Sequence, residues 1–332
     1  MIQILLAGLS ALFGATFRRL RHGPSSPNWS WRLEWIVAVQ RAVLTTTMDW
    51  PPERLRALTL SRIGSRARAL ELEDEELGGV PCERSKRPGS DPEQHLLYLH
   101  GGGFTFGSIA SHRELVSTIV SAGDLCGHSV GYRQPPEDPF PAAVDDVVAA
   151  YRGLLESGVP AERIAIAGDS AGGNLCLALI LRLKSEDLPQ PASATLICPA
   201  PDMALSGASW NTEPFLDYLT RPIAKAWLDH YVDAAQYADP YASPIHGDLA
   251  GLPPTLIHAG SIEGLFDEIE QLAEKLRAAG VPLTYRVAPE MPHVWHLFVG
   301  MIPEAEASLA EISDFIDRTT RNSDTKSTDL GG

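Results

Sequence analysis

Arg163-Ile164-Ala165-Ile166-Ala167-Gly168-Asp169-Ser170-Ala171-Gly172-Gly173-Asn174 decides the fold. Arg163–Ala167 reads as a short buried strand, and Gly172–Lys184 reads as a helix. Between them stands G-x-S-x-G, the spacing of a strand–turn–helix elbow. A glycine on each side of the serine allows a turn too tight for a side chain. Such a turn lifts Ser170 Oγ above the carboxyl end of the strand. It also points the Ala171 N–H, at the start of a helix, toward a place where negative charge can develop. A nucleophilic Ser170 is therefore the first expectation.

Working outward, the same alternation recurs. Apolar runs at His95–Leu99, Ser129–Tyr132, Ala194–Cys198, Thr255–Ala259 and Leu283–Val287 read as strands. Helix-length segments lie between or after them, at His112–Leu125, Ala142–Ser157, Phe266–Ala279 and Pro303–Thr319. Strand and helix in strict alternation predict an α/β fold, a mostly parallel central sheet flanked by helices. Two segments stand outside the pattern. Residues 1–65 read as a helical cap, and 202–245, rich in aromatic residues and proline, as an insertion contributing to that cap. The catalytic core is expected over 66–320 and a disordered tail over 321–332.

A second glycine-bearing turn, His100-Gly101-Gly102-Gly103-Phe104, ends a strand 70 residues before Ser170. With no Cβ in the way, the Gly102 and Gly103 amides can approach a substrate carbonyl and complete an oxyanion hole with Ala171. The spacing does not match a phosphate-binding loop. His100 is expected to order the loop. For the base, the chain order serine, acid, histidine leaves His293 and His296 among ten histidines. His293 sits on the loop after Leu283–Val287 and is preferred, since His296 opens an apolar stretch. The acid belongs after Thr255–Ala259. Glu263 is preferred over Asp267 and Glu268, which read as first-turn acids of the next helix.

Composition narrows the function further. The 332 residues carry a net charge of −15, which disfavours nucleic acid as a partner. Four cysteines show no C-x-x-C pair and no zinc-ligand spacing, so a reducing, cytoplasmic setting without metal is expected. The charge is uneven, because residues 1–70 hold ten Arg against three acids. Residues 1–17 contain no charged side chain, and Arg18, Arg19 and Arg21 follow. A cap helix packed on the protein is the preferred reading. Membrane attachment through residues 1–21 is the alternative.

The matching residues His100–Phe104, Tyr132-Arg133, Pro139-Phe140-Pro141-Ala142-Ala143, Gly168–Asn174 and Gly260–Glu268 resemble the hormone-sensitive-lipase-like branch of the α/β-hydrolases, the bacterial family IV esterases of the G-D-S-A-G subgroup. The resemblance spans about residues 95–300 and implies an α/β-hydrolase fold with a helical cap. It implies a cofactor-free serine carboxylesterase for short- to medium-chain esters, with Ser170 as nucleophile and His293 as base. Gly102, Gly103 and Ala171 would donate to the oxyanion. A small-molecule ester is then the expected partner, with a homodimer left open. The chain departs from the branch in using Glu263 for the usual aspartate, in Gln134-Pro135-Pro136-Glu137 after Tyr132-Arg133, and in Trp295 where phenylalanine is usual. Lactone or amide hydrolysis would use the same groups. A non-catalytic binding protein on this fold should lack one of them.

Overall fold

The computed structural model describes residues 2–58, 65–211 and 216–321. Helices α1 (Ile2–His22), α2 (Trp31–Thr47) and the short α3 (Pro52–Arg56) come first. The hairpin β1 (Glu71–Leu77) and β2 (Val80–Lys86) follows, then β3 (His95–Leu99), α4 (Ile109–Gly123) and β4 (Cys126–Val130). The chain continues through α5 (Ala142–Glu156), β5 (Ile164–Asp169), α6 (Ala171–Ser185) and β6 (Ser193–Ile197). Next are α7 (Arg221–Tyr231), β7 (Thr255–Gly260), α8 (Phe266–Ala278), β8 (Leu283–Ala288) and α9 (Pro303–Arg321). The expected tail over 321–332 lies outside the described residues, except that Arg321 ends α9.

The eight strands form one sheet in the order β1-β2-β4-β3-β5-β6-β7-β8. Strands β3 to β8 run parallel, while β1, β2 and β4 pair antiparallel. Every residue of β4, β5, β6 and β7 is buried, as parallel strands covered by helices on both faces must be.

Two expected boundaries move. The strand expected at Ser129–Tyr132 is β4, three residues earlier. The helix expected from His112 begins at Ile109, because Ser108 and Ser111 close a reciprocal capping box. That helix ends at Asp124, which takes the left-handed conformation at φ 50°, so the strand can start at Cys126. The hairpin β1–β2 is new. Its turn is Gly78-Gly79, with φ of 57° and 83°, the pair that a two-residue hairpin turn favours. A Cβ on Gly78 would stand 2.1 Å from the Ala149 carbonyl oxygen. Helix α7 is also new, inside the aromatic- and proline-rich segment 202–245.

Candidate active site

Ser170 sits between β5 and α6 at φ 54° and ψ −116°, a strained backbone of the kind found at reacting residues. The flanking glycines are obligatory. A Cβ at Gly168 would lie 2.4 Å from the Gly172 carbonyl oxygen, and one at Gly172 would lie 1.9 Å from that of Leu99. The turn is tied to the end of β6, where Ser170 N–H donates to the Ile197 carbonyl at 2.8 Å.

The loops after β7 and β8 bring Glu263 and His293 to this turn. Ser170 Oγ is 2.9 Å from His293 Nε2, and His293 Nδ1 is 2.6 Å from Glu263 Oε2. The other Glu263 oxygen accepts the Gly260 N–H at 2.8 Å. Both His293 and Glu263 are buried, 4% and 1% exposed. Burial works against a charged imidazole, but the hydrogen bond and charge of Glu263 outweigh it. Asp217 and Asp169 add to them, so the His293 pKa is raised above its ordinary value.

The other candidates are turned elsewhere. Asp267 accepts from Ser209 N–H at 2.9 Å. Glu268 is fully buried and accepts from Gly207 N–H and Trp210 Nε1 at 3.0 and 2.7 Å. His296 is buried against His258, 3.0 Å between Nε2 and Nδ1.

Gly102 and Gly103 take φ of 119° and 58°. A Cβ on Gly103 would meet the Trp227 ring at 2.7 Å. Among the described residues, the N–H groups of Gly102, Gly103 and Ala171 have no intramolecular acceptor. Asp169 holds the base of this loop, accepting from Gly101 N–H at 3.0 Å and Tyr98 Oη at 2.8 Å. Its other oxygen is 3.3 Å from His112 Nε2. Burial alone would raise the Asp169 pKa, yet His112 and Tyr98 hold it down to about 2. His100 Nδ1 meets the Gly101 carbonyl at 2.8 Å, and Tyr132 Oη donates to the His100 carbonyl at 2.7 Å. Gln134, one of the departures from the family pattern, donates from Nε2 to the Phe106 carbonyl at 2.8 Å and so supports the same loop.

Sequence reasoning missed a clamp on the His293 backbone. Asp217 is buried and accepts from His293 N–H and Gly264 N–H, both at 3.1 Å. Tyr218 Oη donates to the His293 carbonyl, and Cys198 Sγ accepts the Val294 N–H at 3.3 Å. Arg41 of α2 donates to the Asp217 carbonyl, so the amino-terminal helices reach the histidine through one residue. Burial, helped by Glu263, pushes the Asp217 pKa up to about 6. Cys198, Glu263 and His293 lie close enough together to hold a metal ion, but an ion there would take the place of the bond between Glu263 and His293.

Two hollows meet at Ser170. One, of about 270 Å³, lies beneath the amino-terminal helices and includes Val43, Leu44, Leu55 and Leu297 in its wall. The other, of about 30 Å³, lies beyond Ala171 among Leu205, Trp210, Leu228 and Leu265. Leu219 and Trp227 border both.

A family model described as alpha/beta hydrolase fold matches residues 96–297. The chain is an α/β-hydrolase. An acetyl-hydrolase of Streptomyces hygroscopicus is 42% identical over 235 residues, 70% of this chain and 79% of the relative. An esterase of Acinetobacter venetianus is 33% identical over 291 residues, covering 86% and 96%. Among solved structures, EstE5 soaked with p-nitrophenyl butyrate superposes with a TM-score of 0.83 at 35% identity, covering 88% of this chain and all of that one. An esterase of the bacterial hormone-sensitive lipase family gives 0.76 at 32% identity, covering 94% and 98%. This α/β-hydrolase thus belongs with the bacterial hormone-sensitive-lipase-like esterases and is a carboxylic ester hydrolase.

Proposed function

We propose that this α/β-hydrolase cleaves short-chain acyl esters through a covalent intermediate on Ser170. The continuous path from Ser170 Oγ through His293 to Glu263, facing three amides without acceptors, carries the proposal. Neutral His293 takes the Ser170 proton at Nε2 as Oγ attacks the ester carbonyl. Glu263 fixes the tautomer that leaves Nε2 free and stabilises the imidazolium that forms. The Gly102, Gly103 and Ala171 amides hold the oxyanion. Removing one such donor typically costs about 2.7–4 kcal/mol in the barrier. The alcohol leaves with the proton from His293. Water, activated by the same histidine, then releases the acid.

The hollows order the substrate. The recess beyond Ala171, at about 30 Å³, is much the smaller of the two, which suits a short acyl chain. The wider hollow takes the alcohol portion. One methylene too many in an apolar pocket costs roughly 10- to 200-fold in kcat/KM. In a p-nitrophenyl ester series from acetyl to palmitoyl, kcat/KM is expected to peak at acetyl or propionyl and to fall at least about tenfold by octanoyl. Leu228→Ala, which widens the recess, should move the peak to longer chains. A wild-type peak at octanoyl or beyond would contradict the assignment of the recess.

A second reading concerns α1, which has no buried residue. Its small residues, among them Ala7, Ala11, Gly14 and Ala15, face a groove of about 750 Å³ shared with α2. Seven of its large ones, Ile2, Leu5, Leu6, Leu9, Phe13, Phe17 and Leu20, are each between 53% and 74% exposed, while Ile4 and Leu12 are half-buried. The face that carries these small residues turns toward α2, and the stripe of large ones is left exposed. No helix among the described residues is long and apolar enough to cross a membrane. Arg18 and Arg19 pair with the buried Glu34 of α2, and an apolar stripe that ends in the exposed Arg21 and His22 suits an anionic lipid surface. The full chain should co-sediment with phosphatidylglycerol-containing vesicles. Leu9→Glu combined with Phe13→Glu should abolish this while leaving hydrolysis of a soluble ester within about twofold, since neither residue touches the site. A chain that ignores vesicles but is a dimer broken by the same substitutions would assign the stripe to a second copy and refute the lipid reading.

A further inference from the structure

At the opposite end of the sheet from Ser170, β3 and β4 begin side by side. His95 is registered against Cys126, and His128, two residues on, shares a face with Cys126 because strand side chains alternate. One ligand atom from each of the three lies within 4.8 Å of the others. The sequence could not show this, because the motif is made by strand pairing and not by spacing along the chain.

We propose that His95, Cys126 and His128 form a site for a single thiophilic divalent cation of the zinc type. One thiolate and two imidazoles form a donor set that suits zinc and is poor for magnesium or calcium. Three protein ligands leave a fourth position for water. His95 Nδ1 stands 2.9 Å from His128 Nε2. Zinc–nitrogen bonds of 2.0–2.1 Å at tetrahedral angles require roughly 3.3 Å, so the pair needs to part by only a few tenths of an ångström. The remaining nitrogen of His128, Nδ1, lies 2.6 Å from Glu75 Oε1 on β1. A metal-bound imidazole is commonly oriented in this way, with its second N–H given to a carboxylate.

Without a cation, a proton must lie between the two facing nitrogens. Binding would displace that proton, and the thiol would lose its own. The thiolate and Glu75 would offset the charge of the ion, and Arg84 and Asp91 also act electrostatically on Cys126 and His95 respectively. His128 and Cys126 are buried, while His95 is partly exposed and provides the way in. The cluster stands about 13 Å, the length of β3, from the glycine loop that follows Leu99. Hydrolysis therefore does not require the ion.

The test uses the full chain, titrated with Co²⁺ and then Zn²⁺ and followed by the near-ultraviolet thiolate-to-cobalt charge-transfer band. The expected result is one band per chain at one equivalent of Co²⁺, bleached by Zn²⁺, with ester hydrolysis unchanged. Cys126→Ser should abolish the band. Glu75→Gln, which removes the carboxylate that orients His128, should weaken binding by about 10- to 100-fold, and His95→Gln, which removes a ligand, by more than that. Ser170→Ala should bind as wild type does. Absence of a band in the wild type would overturn the proposal. So would a band that persists in Cys126→Ser, which would place the ion on another thiol, or one that grows as hydrolysis is lost, which would place it at Cys198, Glu263 and His293.

Discussion

Ser170→Ala is expected to lower kcat by about a million-fold, the loss seen when the nucleophile of an analogous serine triad is removed. The fold should survive the change. The turn is held by main-chain bonds from Ser170 N–H to Ile197 and from Ala200 N–H back to Ser170, and alanine keeps both. The hydroxyl contributes its contact with His293 Nε2, and its loss leaves His293 still fixed by Glu263 and Asp217. Circular dichroism and thermal unfolding should therefore match wild type closely. The residual rate would still exceed the uncatalysed one by roughly 10³–10⁴, because the oxyanion donors and the binding hollow remain. A loss smaller than tenfold would remove Ser170 from the chemistry.

Glu263→Gln is expected to lower kcat by about 10⁴-fold, the cost of presenting the wrong imidazole tautomer. A glutamine fits the space and its oxygen can still accept the Gly260 N–H. Its amide would then donate to His293 Nδ1, forcing the proton onto Nε2, where Ser170 needs an acceptor. The pH profile adds a second, independent readout. His293 works in its neutral form, so kcat/KM should rise with pH as the imidazolium loses its proton. In the wild type Glu263 raises the His293 pKa above its ordinary value, so the midpoint should lie above that of a free imidazole. Without that carboxylate, burial prevails and the midpoint of the variant should move down. Asp217, at about 6, titrates close by, so the lower limb reports the pair. An unmoved midpoint would deny Glu263 its role.

The parallel strands β3, β5, β6 and β7 were legible because each is a short, largely apolar run bounded by turn residues, whereas β4, with Gly127, His128 and Ser129 inside it, was expected three residues too late. The residues proposed for the site could be picked out where chemistry and chain order coincide, at the two glycine turns and at His293 and Glu263, and the folded chain brings these together at Ser170. The hairpin β1–β2 escaped because Glu71–Leu77 carries five acids in seven residues, and an edge strand can be that polar. Gly78-Gly79 was the signal that could have revealed it. Asp169, Asp217 and Tyr218 escaped for a different reason. Their partners Gly101, Gly264 and His293 stand 47 to 76 residues away in the chain, and only the assembled loops bring them together. The two faces of α1 were present in the sequence as large residues at 2, 5, 6, 9, 13, 17 and 20 on one side and a mostly small set at 7, 8, 11 and 15, with Ile4 and Leu12 among them, on the other. Counting charges along the segment conceals that division, which appears only when residue size is placed on the helical period.

The central claim is the covalent intermediate on Ser170, and its most direct measurement is mass spectrometry of the enzyme quenched during turnover of p-nitrophenyl acetate. The expected result is one acetyl group per chain, on the peptide that contains Ser170, formed with a burst of p-nitrophenol and absent in Ser170→Ala. Steady turnover with no burst and an unmodified Ser170 peptide at every quench time would contradict the account.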